Sequence, residues 1–290
     1  MSAIEYSSGK GPGDENFPVA SWVIERRYRG PILAFYHFVR AADDVADHPQ
    51  LSRAEKLSRL DELENGLDRD DSLPQATALR SALLAHGMSD AHARDLLSAF
   101  RQDVVKLRYA DWDELIDYCA RSAMPVGRFV LDVHGESRLT WARSDALCAA
   151  LQIINHLQDC ALDFRDLDRV YLPSDVMAAH GASLDDLAAP RASPALQACL
   201  RALAGKTELL LHQSDGLEDI VVNGRLAAEI AAIRALAQRL VGLLQRRDPL
   251  SQRVHLGKID ALAIGSAAGA RLWLRRLLRG SAARNSDRPV

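Results

Sequence analysis

Apolar residues recur three and four positions apart along most of the chain, with charged residues filling the gaps, and few stretches alternate with a period of two. That spacing builds amphipathic helices rather than strands, so the expected fold is all-α. Residues from about Asn16 to Asp47 read as two helices, the second starting after Gly30-Pro31, because proline is tolerated in a first turn. Further helices are expected at about 52–67, 74–87, 89–108 and 111–133. The last of these should kink at Met124-Pro125-Val126-Gly127, where proline removes a backbone hydrogen bond. A long helix from near Arg143 to Phe164 comes next, then short helices and a loop to about Pro194. Helices near 195–215, 222–246 and 258–279 complete the pattern, the last ending at Gly280.

No fixed-period repeat and no long linker interrupts this series. One helical domain over residues 16–280 is expected, preceded by a flexible arm at 1–15 and followed by a disordered polar tail at 281–290. With 290 residues and 48% hydrophobic content, the chain can close a large core. A net charge of −3 from intermixed signs leaves no basic field for nucleic-acid phosphates, so no nucleic-acid partner is expected. Cys119, Cys148, Cys160 and Cys199 form no CxxC pair and fall in helical patterns, which suits a reducing cytoplasm. Neither a leader-like N-terminus nor an apolar run long enough to span a bilayer is visible, and a cytoplasmic location is expected. HExxH, GxSxG and P-loop patterns are missing. His37, His134 and His156 lack metal-ligand spacing and read as ordinary helix residues.

Two polar stripes change this picture. In the segment around Phe35 to Asp47, Arg40, Asp43 and Asp47 lie at i, i+3 and i+7, which puts them on one helix face. In the segment around Leu151 to Phe164, Gln152, Asn155, Asp159 and Asp163 step by three, four and four. One such stripe alone is commonly a solvated acidic face. Both stripes here sit among Ile, Leu, Phe and Val, so their carboxylates are expected to line an interior cavity. Like charges brought together there repel by several kcal/mol, and an anionic substrate would add to the repulsion, so cations must intervene. Oxygen-only ligands from Asp43, Asp47, Asn155, Asp159 and Asp163 suit Mg²⁺, which binds through one or two carboxylates plus substrate phosphates. Arg40, in the same stripe, is a candidate phosphate contact, although Asp44 on its own helix is an alternative partner. The chemistry this predicts is departure of a diphosphate from an allylic or cyclopropylcarbinyl carbon inside an apolar cavity.

At these residues the chain resembles the squalene/phytoene synthase family over about Asn16 to Asp260. The resemblance rests on Arg40-x-x-Asp43-x-x-x-Asp47, on the Gln152 to Asp163 stripe, and on Arg169-Val170-Tyr171-Leu172-Pro173. Arg101 to Val104, Arg108-Tyr109 and Tyr118-Cys119 are similar as well. It implies an isoprenoid-synthase helical bundle around a central cavity, a prenyl diphosphate substrate, and Mg²⁺ as cofactor. It further implies catalytic roles for Asp43, Asp47, Asp159, Asp163 and Tyr171, and substrate binding by Ser21, Arg40, Gln152, Asn155, Gln158 and Arg169. Arg169 and Tyr171 are expected in a segment that closes over the diphosphate. The stretch between Asp163 and Arg169 looks one residue longer than in the family.

Asn16 to Ser21, Ser122 to Arg128 and Gln158 look most like the hydroxysqualene synthase branch of that family. The implied reaction is presqualene diphosphate and water to hydroxysqualene and diphosphate, without NADPH, with Gln158 and Asn155 as neutral amides that could orient the water. Head-to-head condensation of two prenyl diphosphates is the alternative, and a non-catalytic assembly protein on the same fold is a third. Transient contact with other squalene-pathway enzymes would follow from either enzymatic reading. The basic, amphipathic segment Ala270 to Arg279 is a candidate for peripheral contact with a membrane, as well as an ordinary terminal helix whose cations suit its C-terminal dipole.

Overall fold

The computed structural model describes residues 24–69 and 73–286, with side chains as far as Leu278. Twelve α-helices follow in order: α1 (Arg26–Ala46), α2 (Arg53–Asn65), α3 (Pro74–His86), α4 (Ala91–Val105), α5 (Trp112–Ser122), α6 (Met124–Val133), α7 (Trp141–Leu167), α8 (Ser174–His180), α9 (Pro194–Gln213), α10 (Leu217–Ile220), α11 (Gly224–Leu244) and α12 (Lys258–Ser286). Among the described residues no strand forms, and a single parallel bridge joins Arg108 to Val170. The all-α expectation holds.

Local chemistry sets the boundaries. Ser52 and Glu55 form a reciprocal capping box at the start of α2, and Asp111 and Asn223 accept backbone N–H groups at the starts of α5 and α11. Gly135, at φ 69°, ends α6 in a left-handed turn that a side chain would resist.

Three expectations need correction. Gly30-Pro31 does not begin a helix but lies inside α1, in its second turn. The proline leaves the Arg27 carbonyl without its helical donor, and Arg27 is exposed, so water can serve instead. The other half of that expectation, a helix through Ala20-Ser21, lies outside the described residues. Pro125 does not kink one helix: the chain breaks at Ala123, and Pro125 stands second in α6, where its missing N–H costs nothing. Helix α12 continues through Gly280 to Ser286 instead of giving way to a disordered tail.

The interior is organised as two apolar cores. One gathers α1–α4, and the other gathers α5, α7–α9 and α11. Helix α6 joins them, sending Phe129 and Val133 into the first and Leu131 into the second. Phe129 stacks on Phe35 of α1 with ring centroids 3.9 Å apart. On its other side α6 approaches α7 closely at Gly127, where a Cβ would stand 2.5 Å from both Ser144 Oγ and Cys148 Sγ. Held apart by α6, helices α1 and α7 become facing walls of a cavity.

Candidate active site

The cavity encloses about 530 Å³. Along α1 its lining passes from Ile32, Phe35 and Val39 to Arg40, Asp43 and Asp47, and along α7 from Leu147 and Leu151 to Gln152, Asn155, Asp159 and Asp163. Both helices are thus apolar in their N-terminal halves and acidic toward their C-termini. The two acidic ends meet: Arg169, just beyond α7, donates from Nη1 to Asp47 Oδ1 at 3.0 Å. One end of the cavity is therefore rich in carboxylates, while Leu226, Ile230 and Ile233 of α11 contribute apolar lining.

Crowding shows in the proton affinities. Asp43 is pushed up from 3.8 to about 7, first by burial within the protein and next by the neighbouring Asp47, against the pull of Arg40. Its side chain keeps 36% of its surface open, and that surface faces the cavity rather than bulk solvent. Arg40 lines the cavity, and it pairs with Asp43 (3.0 Å) and the buried Asp44 (3.2 Å).

A second layer of the polar end was not assigned from the sequence. Asp103 of α4 is buried and accepts hydrogen bonds from Tyr118 Oη (2.7 Å) and Tyr171 Oη (3.1 Å). Burial pushes its carboxyl up to about 6 despite the nearby Arg169 guanidinium. Arg169 also donates to Tyr171 Oη at 3.2 Å and to the Asp103 carbonyl at 3.1 Å. Both phenols are held well above their ordinary value of 10, mainly by burial and then by Asp103, so they remain protonated donors. His156 stacks on Tyr171 with centroids 3.5 Å apart, and its Nε2 lies 3.1 Å from the Gln152 amide nitrogen. Asp103, Tyr118 and His156 all line the cavity. Asp103 and Tyr118 fall in segments that matched the family without receiving a role. His156 could have been found: at 100° per residue it lies about 55° from the centre of the α7 stripe.

Gln158 is the site residue the structure moves. The same wheel puts it about 105° off the stripe. It is buried away from the cavity, donating to the Val254 carbonyl and lying 3.1 Å from His255 Nδ1. Its work is to pin the loop before α12, so a water-orienting role for it is withdrawn. Gln152 and Asn155 remain as neutral amides on the wall. Ser21 lies outside the described residues.

The expected lid is also corrected, since Arg169 and Tyr171 are already buried and tied down. Val170 N–H bonds to the Leu107 carbonyl and Ser174 N–H to that of Tyr109, strapping the segment to the α4–α5 connection. The residue that looked additional before Arg169 is absorbed in the turn ending α7. Asp168 adopts φ 50°, and both its N–H and that of Arg169 reach back to the Asp163 carbonyl. Such a left-handed residue is tolerated for aspartate, and Arg108 further holds its carboxylate and carbonyl.

Comparison with known proteins agrees with this architecture. Residues 11–260 match the squalene/phytoene synthase family. A protein described as hydroxysqualene synthase from Rhodopseudomonas palustris is 55% identical over 276 residues, covering 95% of this chain and 94% of its own. Another of that description, from Sinorhizobium fredii, is 51% identical over 277 residues, covering 93% and 95%. Among solved structures, a squalene synthase from Alicyclobacillus acidocaldarius superimposes with a TM-score of 0.69 at 31% identity, over 79% of this chain and 87% of that one. A ligand-bound dehydrosqualene synthase, at 19% identity, shares the fold with a TM-score of 0.77 over 89% and 91% of the two chains. With paired acidic helices closing on one end of an apolar cavity and a match running through both of them, the chain belongs to the squalene/phytoene synthase family.

Proposed function

We propose that the protein converts presqualene diphosphate and water to hydroxysqualene and diphosphate, using Mg²⁺. The observation that carries this is the convergence of the α1 and α7 carboxylates on one end of a cavity whose remaining lining is mainly apolar, with Glu229 of α11 among it, the two helices being joined by the Asp47–Arg169 pair. The description of the relatives above as hydroxysqualene synthases supports the choice of substrate and product.

The donor set fits magnesium. Asp43 is driven toward protonation by burial and by Asp47, a strain that a cation relieves. Among the described residues no three acidic, histidine or cysteine side chains form a ready-made metal site. That suits an ion taking one or two carboxylates and completing its shell with phosphate oxygens and water. Asp43, Asp47, Asn155, Asp159 and Asp163 would hold it, and when bound it would stabilise the charge developing on the departing diphosphate.

The chain's own groups do the rest. Arg40 and Arg169 present guanidinium groups to the diphosphate end, each oriented by carboxylates. Protonated Tyr118 and Tyr171 keep Asp103 and Arg169 in place. Apolar residues of α1, α6 and α11 surround the hydrocarbon and limit access of water, and Phe35 and Phe100 add aromatic lining. The carbon–oxygen bond to diphosphate breaks with its electron pair leaving on oxygen. Water then forms the new carbon–oxygen bond and loses a proton. Gln152 and Asn155, neutral amides of the cavity lining, would orient that water.

No described helix is long and apolar enough to cross a membrane. The reading places the enzyme in the cytoplasm, passing its product to other enzymes of squalene metabolism. The test is incubation with magnesium and either presqualene diphosphate or farnesyl diphosphate, with and without NADPH. Hydroxysqualene should form from presqualene diphosphate whether or not NADPH is present. Squalene formation with NADPH, or efficient turnover of farnesyl diphosphate alone, would overturn the assignment.

A further inference from the structure

Helix α12 faces outward with its apolar side. It packs on α11 through the buried Leu272 and through Gly265, where a methyl group would meet Ala232 Cβ at 3.4 Å. On the opposite side, Ile259, Leu262, Ala263, Ala270, Trp273 and Leu277 fall within an arc of about 100° and run for about 27 Å along the axis. All six are exposed, Ile259 by 84%, Leu262 by 70% and Trp273 by 66%. A surface helix ordinarily reverses this arrangement, and an exposed face that is apolar but for Ser266 at its middle marks a contact surface.

Two of the arginines of this basic segment are engaged by the protein itself. Arg275 pairs with Glu218 at 3.1 Å and reaches Asp219 at 3.4 Å. Arg276 donates to the carbonyls of Glu218 (2.8 Å) and Val221 (2.7 Å). These contacts lock α12 onto the α10–α11 turn and rotate its leucines and tryptophan outward. The same turn exposes Val222 by 85%. Behind it, α11 supplies Leu226, Ile230 and Ile233 to the cavity, so one helix layer separates the cavity from α12.

We propose that α12 docks this protein on a lipid bilayer, lying in the headgroup plane with its outer face inserted among the acyl chains. Three features favour lipid over a second copy of the chain. A straight one-sided stripe suits a flat apolar surface. Trp273 offers an apolar body with one N–H donor, which suits the boundary between acyl chains and headgroups. The third rests on the function proposed above: substrate and product carry long hydrocarbon chains that partition into membranes, and the cavity's apolar lining lies directly beneath this face. Attachment is then mainly apolar rather than ionic.

The test is sedimentation of the full chain with vesicles of phosphatidylcholine alone or mixed with phosphatidylglycerol. The protein should pellet with both, and the anionic lipid should improve binding by no more than about threefold. The variant Ile259→Gln/Leu262→Gln/Trp273→Gln/Leu277→Gln should bind at least about tenfold more weakly, since four apolar side chains no longer leave water. It should retain the wild-type melting temperature and its turnover in detergent micelles. Independently, brominated lipids should quench wild-type fluorescence more than that of Trp273→Phe, a reading that survives should the quadruple variant not fold. The proposal is overturned if the wild type stays in the supernatant, if the quadruple variant folds and binds equally well, or if quenching is unchanged in Trp273→Phe. It is also overturned if the wild type is a dimer that the variant makes monomeric, which gives the face to a second copy. Vesicle binding is read without turnover, so failure here leaves the catalytic assignment to its own assay.

Discussion

Replacing Asp43 by asparagine keeps the shape of the side chain and removes one negative charge from the polar end of the cavity. In the apo protein that charge is a burden, because burial and Asp47 raise the carboxyl from 3.8 to about 7. In the limit, a shift of that size costs the ionised form about 4 kcal/mol. Since 36% of the side chain opens to the cavity, where water screens it, about 1–2 kcal/mol is the figure to expect. The sign follows from which state holds the proton. Below about pH 4, folded and unfolded chains both carry it and Asp43 costs nothing. As pH rises toward 7 the unfolded chain ionises first, so wild-type stability falls until the folded carboxyl has also titrated. Asp43→Asn escapes this loss. Its advantage should be absent near pH 3, grow from about pH 4 and be complete once the folded carboxyl has titrated, by about pH 7 at the latest, a rise in melting temperature of about 2–4 °C. Scanning fluorimetry of metal-free protein from about pH 3 to pH 8 reads it directly. Turnover with magnesium should meanwhile collapse, since the variant loses a proposed metal ligand. A variant less stable than wild type at pH 8, or an advantage that does not change with pH, refutes the argument.

Two other substitutions test particular placements. Gly127→Ala should cost about 1–3 kcal/mol in denaturant unfolding, because its methyl group would stand 2.5 Å from Ser144 Oγ and Cys148 Sγ and force α6 from α7; a neutral result would mean these side chains rotate aside freely. Gln158→Met should lower stability by about 1–3 kcal/mol by stripping the buried Val254 carbonyl of its donor, while product identity stays the same; altered partition between alcohol and hydrocarbon products would return Gln158 to the site.

Much of the fold and the first layer of the site could be read from local pattern. The two stripes were legible because a helix converts spacing into a face, and each stripe lies on one helix. Asp103 and Tyr118 were not, because their significance arises from α4 and α5 meeting Tyr171 and Arg169, sequence separations of 68 residues for Asp103–Tyr171 and 53 for Tyr118–Tyr171. Gln158 misled because its neutral amide and its resemblance to the branch pattern suggest a role that its place on the helix denies, since it diverges from its neighbour Asp159 by about 100°. Proline rules failed in both directions: Pro31 is carried inside a helix whose core face holds it, and Pro125 begins one. The arginines of α12 read as a basic surface because nothing in that segment shows that Glu218 and Asp219 wait beneath them.

The strap between the α4–α5 connection and the segment after α7 bears on how much the site must rearrange when substrate arrives. Leu107 and Tyr109 hold Val170 and Ser174 through the backbone, while Asp103 and Tyr118, on either side of that connection, hold Arg169 and Tyr171 through side chains. The segment from Arg169 to Ser174 is thereby fixed to α4 and α5, beside the α7 carboxylates. Asp47 adds one guanidinium contact from α1, which is itself packed on α4 and stacked on α6 through Phe35 and Phe129. The polar end is therefore held on every side without a ligand, and a bulky anion meets an Arg169–Tyr171 constellation that is already assembled.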